Sequence, residues 1–346
     1  MSEGIQTKIK SARGDNWVKG LDSLRFVLAL IVFLSHLSNE PSNYLKSLDG
    51  KLWHWMGIAL NHVFLGPGAV VAFFIISGFV IHYPFKGKSL NTKQFLVRRW
   101  VRIGIPLLIV VAIALYRGGI GLVPIWSLYC ELIYYTLYPL LRRLPLSWTQ
   151  QFWFAFAIAA VVIVVGSYHT EIASMITQSD QGYTGSYAAL GDGFTWLVGL
   201  PCWLIGVLIA DVVDSRTIVV SQVRINIIRL CALVVAMLVV GLKAHVYVSY
   251  LLTLNFFAFM LGYWILNEIL FFRTHAASAI LEYAGKFSYS LYLLHVLLVQ
   301  WFYSQFGMSL ALYPVAIAFT LVSSWLFYRF VEKPSHELSK YWARKL

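Results

Sequence analysis

The sequence contains repeated apolar runs long enough to cross a lipid bilayer as helices. A helix needs roughly 20 mainly apolar residues to span a hydrocarbon core about 30 Å thick. Of the 346 residues, 59% are hydrophobic and only 12% are charged, which is too few charges to cover a water-facing surface of this size. The composition therefore excludes a soluble globular domain, a disordered chain, a coiled coil and a nucleic-acid-binding domain. Ten spans are predicted: Leu21–Leu37, Val63–Tyr83, Ile103–Tyr116, Leu122–Leu141, Phe152–Tyr168, Phe194–Val212, Ile228–Leu242, Ser249–Leu266, Phe287–Phe306 and Leu310–Val331.

The basic residues alternate in density between successive loops. With the N-terminus in the cytoplasm, all but four of the 27 Lys and Arg residues fall on the cytoplasmic side, the exceptions being Lys46, Lys51, Arg117 and Lys243. Short cytoplasmic loops are enriched in Lys and Arg, so this distribution predicts an all-α bundle of ten transmembrane helices with both termini cytoplasmic. It also explains the net charge of +12 without a nucleic-acid partner. The expected organisation is a tail over 1–20, a transmembrane domain over 21–331 and a tail over 332–346.

Two segments outside these spans have distinct compositions. Leu48–His62 is apolar and aromatic but too short to span, and it indicates an interfacial or re-entrant helix on the outer side. The loop Tyr168–Gly193 carries Glu171, Asp180 and Asp192, so it fits a sugar-lining loop and a plain solvated loop equally well. The three cysteines lie inside apolar runs without metal-ligand spacing, and no metal site is predicted.

Ionisable residues inside predicted spans are the strongest candidates for function, because the membrane makes them costly. Arg25 and His36 project from one face of the first helix, separated by a rise of about 16 Å. Glu131 lies in mid-helix beside a stripe of tyrosines at 134, 135 and 138. Alone, His36 also fits an interfacial anchor, and Glu131 also fits a structural ion pair between helices.

Two further polar groups lie at defined helical spacings. Arg98, Arg99 and Arg102 cluster at a cytoplasmic helix start, where they fit either topology determinants or a polyphosphate site. Ser288, Tyr292 and His295 share one helix face, where hydroxyls also serve as ordinary contacts between helices.

Six sequence blocks, in order along nearly the whole chain, resemble the bacterial acyltransferase-3 family of membrane acyltransferases that modify surface carbohydrates. They are LDSLR with His36, FFIISGFVI from Phe73, RRWVRI from Arg98 with Pro106, Trp126-Ser127-Leu128 with Glu131, SYSLY from Ser288 with His295, and Glu332-Lys333-Pro334. One departure is Leu132, where many relatives carry a second acid; this counts against a mechanism that needs a carboxylate pair here.

The resemblance implies transfer of an acyl group, commonly acetyl, from cytoplasmic acyl-CoA to a glycan or lipid-linked saccharide at the outer side of a bacterial inner membrane. It implies His36 as the central catalytic residue, with Glu131 assisting. Arg25, Arg98, Arg99 and Arg102 are expected on the acyl-CoA side. Trp126, Ser127, Ser288, Tyr292 and His295 are expected to support the site. No tightly bound cofactor is expected, and the expected partners are the acceptor and membrane lipids.

His36 is expected either to act as general base on the acceptor hydroxyl or to carry the acyl group briefly as an acyl-imidazole. Two other functions fit the sequence. Ten spans with buried Glu, His and Arg also suit a transporter or flippase for a lipid-linked sugar or small anion, although no repeated half is present. The second of these other functions is that of a regulatory or scaffold protein descended from the enzyme. The acceptor glycan, the acyl group and the oligomeric state are left open.

Overall fold

The chain is helical throughout the part that the structure describes. This computed structural model describes residues 18–119, 125–179, 185–191 and 193–346, and these residues contain no β-strand. Their α-helices are α1 (Leu21–His36), α2 (Glu40–Ser47), α3 (Lys51–Val63), α4 (Gly66–His82), α5 (Thr92–Tyr116), α6 (Ile125–Leu141), α7 (Trp148–Thr177), α8 (Thr195–Val212), α9 (Gln222–Gly241), α10 (Tyr250–Thr274), α11 (Ala279–Gly285), α12 (Ser288–Phe306), α13 (Tyr313–Phe327) and α14 (Lys333–Arg344). Short 3₁₀ turns cover Tyr83–Phe85, Tyr187–Leu190 and Val213–Ser215, and π-helical turns cover Leu242–Val246 and Tyr328–Glu332.

Each predicted span overlaps one of the longer helices, namely α1, α4 to α10, α12 and α13, while residues 122–124 of the predicted fourth span lie outside the described residues. Within the described residues, seven helical stretches are long and apolar enough to cross a membrane, or eight if α1 and α2, bent by 63° at their junction, form one broken span. The chain is thus a multi-pass membrane protein. The helix α6 is short at 17 residues, and α12 carries serines, tyrosines and a histidine, so neither counts among the seven. The ten-span count and the cytoplasmic termini stay predictions.

Several helix ends differ from the predicted ones. The helix α5 begins at Thr92 instead of Ile103, because Asn91 caps it by accepting the Gln94 N–H at 3.2 Å. The helix α7 continues past Tyr168 to Thr177. Glu171 therefore lies on a helix, buried, where it accepts the Ser249 N–H at 3.2 Å. Residues 168–177 are therefore helix and not loop, the Glu171 carboxylate is turned inward, and Asp180 and Asp192 lie outside the described residues.

The two flanking segments are also helical. The segment expected to lie at the interface, Leu48–His62, forms most of α3. Residues 333–344, expected within the C-terminal tail, form α14, which packs along α5. The Ser335 hydroxyl donates to the Val101 carbonyl at 2.8 Å. The C-terminal segment is therefore part of the bundle and fixes the helix that carries the arginine cluster.

Close packing of α4 against α8 forms the centre of the bundle. Gly206 on α8 meets the backbone of Ile75, and Gly78 on α4 meets the backbone of Trp203. Small residues at such crossings let membrane helices approach closely, which is how helices pack without a hydrophobic driving force. The remaining helices, including those of the site, pack around this pair.

The α4–α8 contact predicts a specific sensitivity to added volume. A Cβ at Gly206 would overlap the Ile75 carbonyl oxygen, so Gly206→Ala should lower the stability by about 1–3 kcal/mol or more. Gly104→Ala is the matched control, since a Cβ there meets nothing within 4 Å and alanine favours a helix by about 1 kcal/mol over glycine. Thermal unfolding in detergent measures both. Equal midpoints for the two variants would contradict the tight crossing.

The predicted orientation is testable by labelling from each side of the membrane. In a Cys231→Ser background, which removes the exposed thiol, Lys340→Cys on α14 and Gln305→Cys at the end of α12 each add one exposed thiol. An impermeant maleimide should label Lys340→Cys in inside-out vesicles and Gln305→Cys in right-side-out vesicles. Labelling of both from the same side would overturn the predicted topology.

Candidate active site

A cavity of about 430 Å³ lies between α1, α4, α5, α6, α12 and the start of α14. Sequence-predicted residues from four of these helices converge on its wall. They are Arg25, Arg99, Arg102, Ser127, Glu131, Ser288 and Tyr292. Residues more than 250 positions apart in the chain therefore share one polar space inside an apolar bundle.

The cavity wall carries more positive than negative charge. Its basic residues are Arg25, Arg99, Arg102, Lys286 and Lys333, against the acids Asp22, Glu131 and Glu332. Arg25 is held by Asp22 of the same helix at 3.4 Å. Cationic side chains grouped around a cavity attract anions, and guanidinium groups match phosphate oxygens.

The three arginines of α5 are placed differently. Arg99 and Arg102 line the cavity, whereas Arg98 is exposed and is not among its lining residues. The Arg99 guanidinium lies 5.9 Å from the centroid of the Tyr135 ring, and its buried Nε has no hydrogen-bond partner within the described chain. The Tyr135 ring thus packs against the Arg99 guanidinium, and the Nε–H of that group has no acceptor within the described chain.

A chain of hydrogen bonds fixes Glu131. The Trp203 indole N–H donates to Ser77 at 3.3 Å, and Ser77 is within 3.2 Å of the Tyr135 hydroxyl. That hydroxyl donates to the Glu131 carboxylate. Glu131 is therefore hydrogen-bonded to a tyrosine one turn along its own helix, whereas the sequence had also suggested an ion pair between helices. This arrangement holds the carboxylate in the cavity wall and not beside His36.

A contact between α6 and α12 forms part of the cavity wall. The hydroxyls of Ser127 and Tyr292 hydrogen-bond at 2.5 Å, and the Tyr292 ring packs edge-on against Phe73 at 5.8 Å. Trp126 does not line the cavity but packs against Phe74.

His36 lies beyond this contact, next to His295. Their ring centroids are 5.0 Å apart, and the His295 ring is in turn 5.8 Å from that of Tyr292. His36 is the last residue of α1, and it is exposed, whereas His295 is completely buried. Neither histidine is among the described residues that line the cavity. The deep imidazole expected at the end of the donor cavity is thus outside the cavity wall, and the His295 ring lies between it and Tyr292 of that wall.

The cavity also contains residues that the sequence analysis left without a role. Glu332 accepts the Ser290 hydroxyl at 2.6 Å, and His336 lines the end formed by α14. Glu332 belongs to a block that carried the family resemblance, which was a usable signal. No signal pointed to His336, since α14 had been expected as a tail.

Within residues 18–119, 125–179, 185–191 and 193–346, no group of three or more His, Cys, Asp or Glu side chains is arranged to hold a metal ion.

Comparison with known proteins agrees with the resemblance of the sequence blocks. The acyltransferase-3 family model, described as an acyltransferase domain, matches residues 18–329. The searches of curated proteins and of solved structures found no match. The family match covers most of the chain and contains both histidines and all the residues that line the cavity except Glu332, Lys333 and His336. The chain belongs to the acyltransferase-3 family and is a membrane acyltransferase.

Proposed function

We propose that this protein transfers an acyl group, acetyl in the simplest case, from cytoplasmic acyl-CoA to a hydroxyl of a cell-surface glycan or lipid-linked saccharide. The proposal rests on the spatial order of three groups of residues in the bundle. A basic cavity is followed by the Ser127–Tyr292 contact, and then by a histidine pair with one exposed member. We place the protein in the bacterial inner membrane, with the donor on the cytoplasmic side and the acceptor on the outer side.

The donor side rests on the arginines. Arg25, Arg99 and Arg102 line the cavity, and the excess of cations there suits the phosphates of a CoA thioester. The cavity wall also carries hydroxyl and aromatic groups, among them Ser127 and Tyr292, which suit an uncharged pantetheine arm. Arg25 and His36 are separated by about 16 Å along α1. An extended pantetheine arm is needed to bridge this distance.

The acceptor side rests on the exposure of His36. Its imidazole ends α1, with Nδ1 2.9 Å from the Val32 carbonyl. A carbonyl only accepts, so in the neutral ring Nδ1 carries the hydrogen and Nε2 is left as the base. An acceptor arriving from the outer side meets this imidazole without entering the donor cavity.

In the proposed reaction, His36 acts as a general base. The His36 Nε2 takes the proton of the acceptor hydroxyl as that oxygen attacks the thioester carbonyl. The C–O ester bond forms, the C–S bond breaks, and the proton on His36 passes to the departing CoA thiolate. The alternative, an acyl-imidazole on His36, divides the same transfer into two steps. Rapid-quench trapping distinguishes the two, because only the second accumulates labelled protein.

The experiment uses inside-out membrane vesicles from the native host, which keep the natural acceptor, and radiolabelled acetyl-CoA. Wild type should place base-labile label in glycan, and His36→Ala should lose at least about 100-fold, the usual contribution of a general base. His54→Ala is the matched control, since His54 is exposed on α3 away from the cavity.

Near-wild-type labelling by His36→Ala would refute the catalytic assignment. Absence of label with wild type, when the protein is inserted and other acyl-CoA donors also fail, would refute the proposed function and favour a transporter.

The arginine placement predicts a graded effect on the donor. Arg102→Gln removes a guanidinium from the cavity and should raise the KM for acetyl-CoA by about 10-fold, in line with loss of one charge-assisted phosphate contact. Arg98→Gln removes the same charge from the exposed face of α5 and should have a smaller effect. Initial rates over a range of acetyl-CoA concentrations give both KM values. Equal effects at the two positions would mean that overall charge, not the cavity, attracts the donor.

A further inference from the structure

A second cavity, of about 420 Å³, lies on another side of α1 from the candidate active site. Asp22 and Arg25 line the active-site cavity, whereas Leu24, Val27 and Ile31 line the second one, and no described residue lines both. Besides α1, the walls of the second cavity come from the start of α4, from α9 and α10, and from one residue of α11. The proposed transfer reaction makes no use of this space.

The second cavity is polar at one end and apolar along the rest of its length. Among the described residues of its lining, charged or hydroxyl side chains belong to Ser23, Arg229 and Glu268. They lie near the start of α1, in the first half of α9 and towards the end of α10, and the predicted topology places all three positions on the cytoplasmic side. Val63 and Phe257 lie towards the opposite end. A cavity of this kind fits an amphiphile whose polar group points to the cytoplasm.

The length of the second cavity matches a hydrocarbon chain in one leaflet of the membrane. On α1 its lining extends from Ser23 to Ile31, a rise of about 12 Å, and on α10 from Phe257 to Phe272, a rise of about 22 Å. One leaflet contributes about 15 Å, half of a hydrocarbon core of about 30 Å. An apolar cavity stays free of water, so in a bilayer a lipid chain is what can fill it. Leu233 lines the cavity and is exposed, so the space is not sealed from the surrounding lipid.

The polar end of the second cavity offers donors for a phosphate group. Arg229 donates to both carboxylate oxygens of Glu268, at 2.7 and 2.9 Å, and to Asn226 at 3.3 Å. A guanidinium group carries five N–H groups, of which these bonds use three, and the Arg229 side chain is 38% exposed. The Trp264 indole N–H donates to the same carboxylate at 2.8 Å, and Trp264 lines the cavity. Tryptophan is typical of the membrane–water interface, and the guanidinium group of arginine matches phosphate oxygens there.

The position of the polar end distinguishes between two kinds of lipid. A phospholipid of the cytoplasmic leaflet has its phosphate at that end and its chains pointing towards the membrane centre. A polyprenyl phosphate that carries a saccharide at the outer side has its phosphate at the opposite end, where the described lining is apolar. The arrangement therefore favours the phospholipid.

We propose that the second cavity binds a phospholipid of the cytoplasmic leaflet, with one acyl chain between α1 and the pair α9 and α10 and with the phosphate at Arg229. The other sides of α1 pack against α4, α11 and α12. The lipid chain therefore completes the packing of the helix that carries Arg25 and His36. The inference goes beyond the proposed transfer reaction and does not depend on it, because lipid binding and stability are measured without acyl transfer.

Photocrosslinking tests the site directly. The full chain, purified and delipidated in maltoside micelles, is mixed with a phosphatidylglycerol that carries a diazirine in one acyl chain, then irradiated and analysed by peptide mass spectrometry. Cross-links should fall on the cavity-lining residues of α9 and α10, and unlabelled phosphatidylglycerol should compete with them. Diacylglycerol, which has the chains without the phosphate, should compete about 10-fold less well, the loss expected for one charge-assisted hydrogen bond. Equal competition by the two lipids would refute the contact between the phosphate and Arg229.

A pair of substitutions on α9 tests whether the chain occupies the cavity. Ala236→Phe places a ring in the cavity and should remove the cross-links to its lining. Val234→Phe is the matched control and should keep them, since Val234 is exposed on the same helix and is not among the described lining residues. Added phosphatidylglycerol should raise the thermal midpoint of wild type and of Val234→Phe but not that of Ala236→Phe, because a ligand that binds the native state stabilises it.

Three further results would overturn the proposal. The first is equal cross-linking of the cavity lining in the two variants. The second is an equal spread of cross-links over the lining and the exposed residues of α9, which indicates surface lipid alone. The third is competition by a polyprenyl phosphate but not by phosphatidylglycerol, which assigns the cavity to the chain of a lipid-linked acceptor. The competition series needs wild type alone, so it decides between these lipids whether or not Ala236→Phe folds.

Discussion

The hydrocarbon interior supplies no hydrogen bonds, and this constraint governs where the first helix ends. The helix α1 has 16 residues and is therefore about 24 Å long, which is less than a hydrocarbon core of about 30 Å. It stops at His36, and the chain turns by 63° into α2. Irregular backbone at membrane depth is tolerated where protein or a water-filled space covers it. His36, the last residue of α1, is exposed at this turn, and its Nδ1 lies 2.9 Å from the carbonyl oxygen of Val32 in the last turn.

The same constraint brings the polar residues of distant helices together. Arg25, Arg99, Glu131 and Ser288 are each unfavourable against lipid, and facing one cavity lets them share ion pairs, hydrogen bonds and water. The glycine contact between α4 and α8 sets the frame for this arrangement, because it holds Ser77 and Trp203 close enough to hydrogen-bond and so positions Tyr135 and Glu131. Backbone packing and site geometry are thus connected through a few short contacts.

The sequence predicted the positions of the long helices because apolar runs and basic loops are properties of local segments. Arg25, Arg102, Glu131, Ser127 and Tyr292, which the sequence singled out, all line the cavity, and the membrane leaves such residues few alternatives. The sequence could not tell Arg98 from Arg99, because adjacent residues differ by 100° around a helix and only the packing partner decides which faces inward. It missed α14 because a polar, basic segment resembles a tail until its contact with α5 is known. The pairing of His36 with His295 depends on how α1 packs against α12, which local patterns do not contain.

A membrane acyltransferase that uses a donor from one side and an acceptor from the other must pass the acyl group without opening a path for ions. Under the proposed function, three groups lie between the donor cavity and His36: the Ser127–Tyr292 hydrogen bond, the ring of Phe73 against Tyr292, and the buried His295. Under the proposed function, only the thioester end of the donor has to reach this layer, while the phosphates stay with the arginines of the cavity. An imidazole at the outer surface of the layer can then activate the acceptor there, and neither substrate has to cross the membrane as a whole.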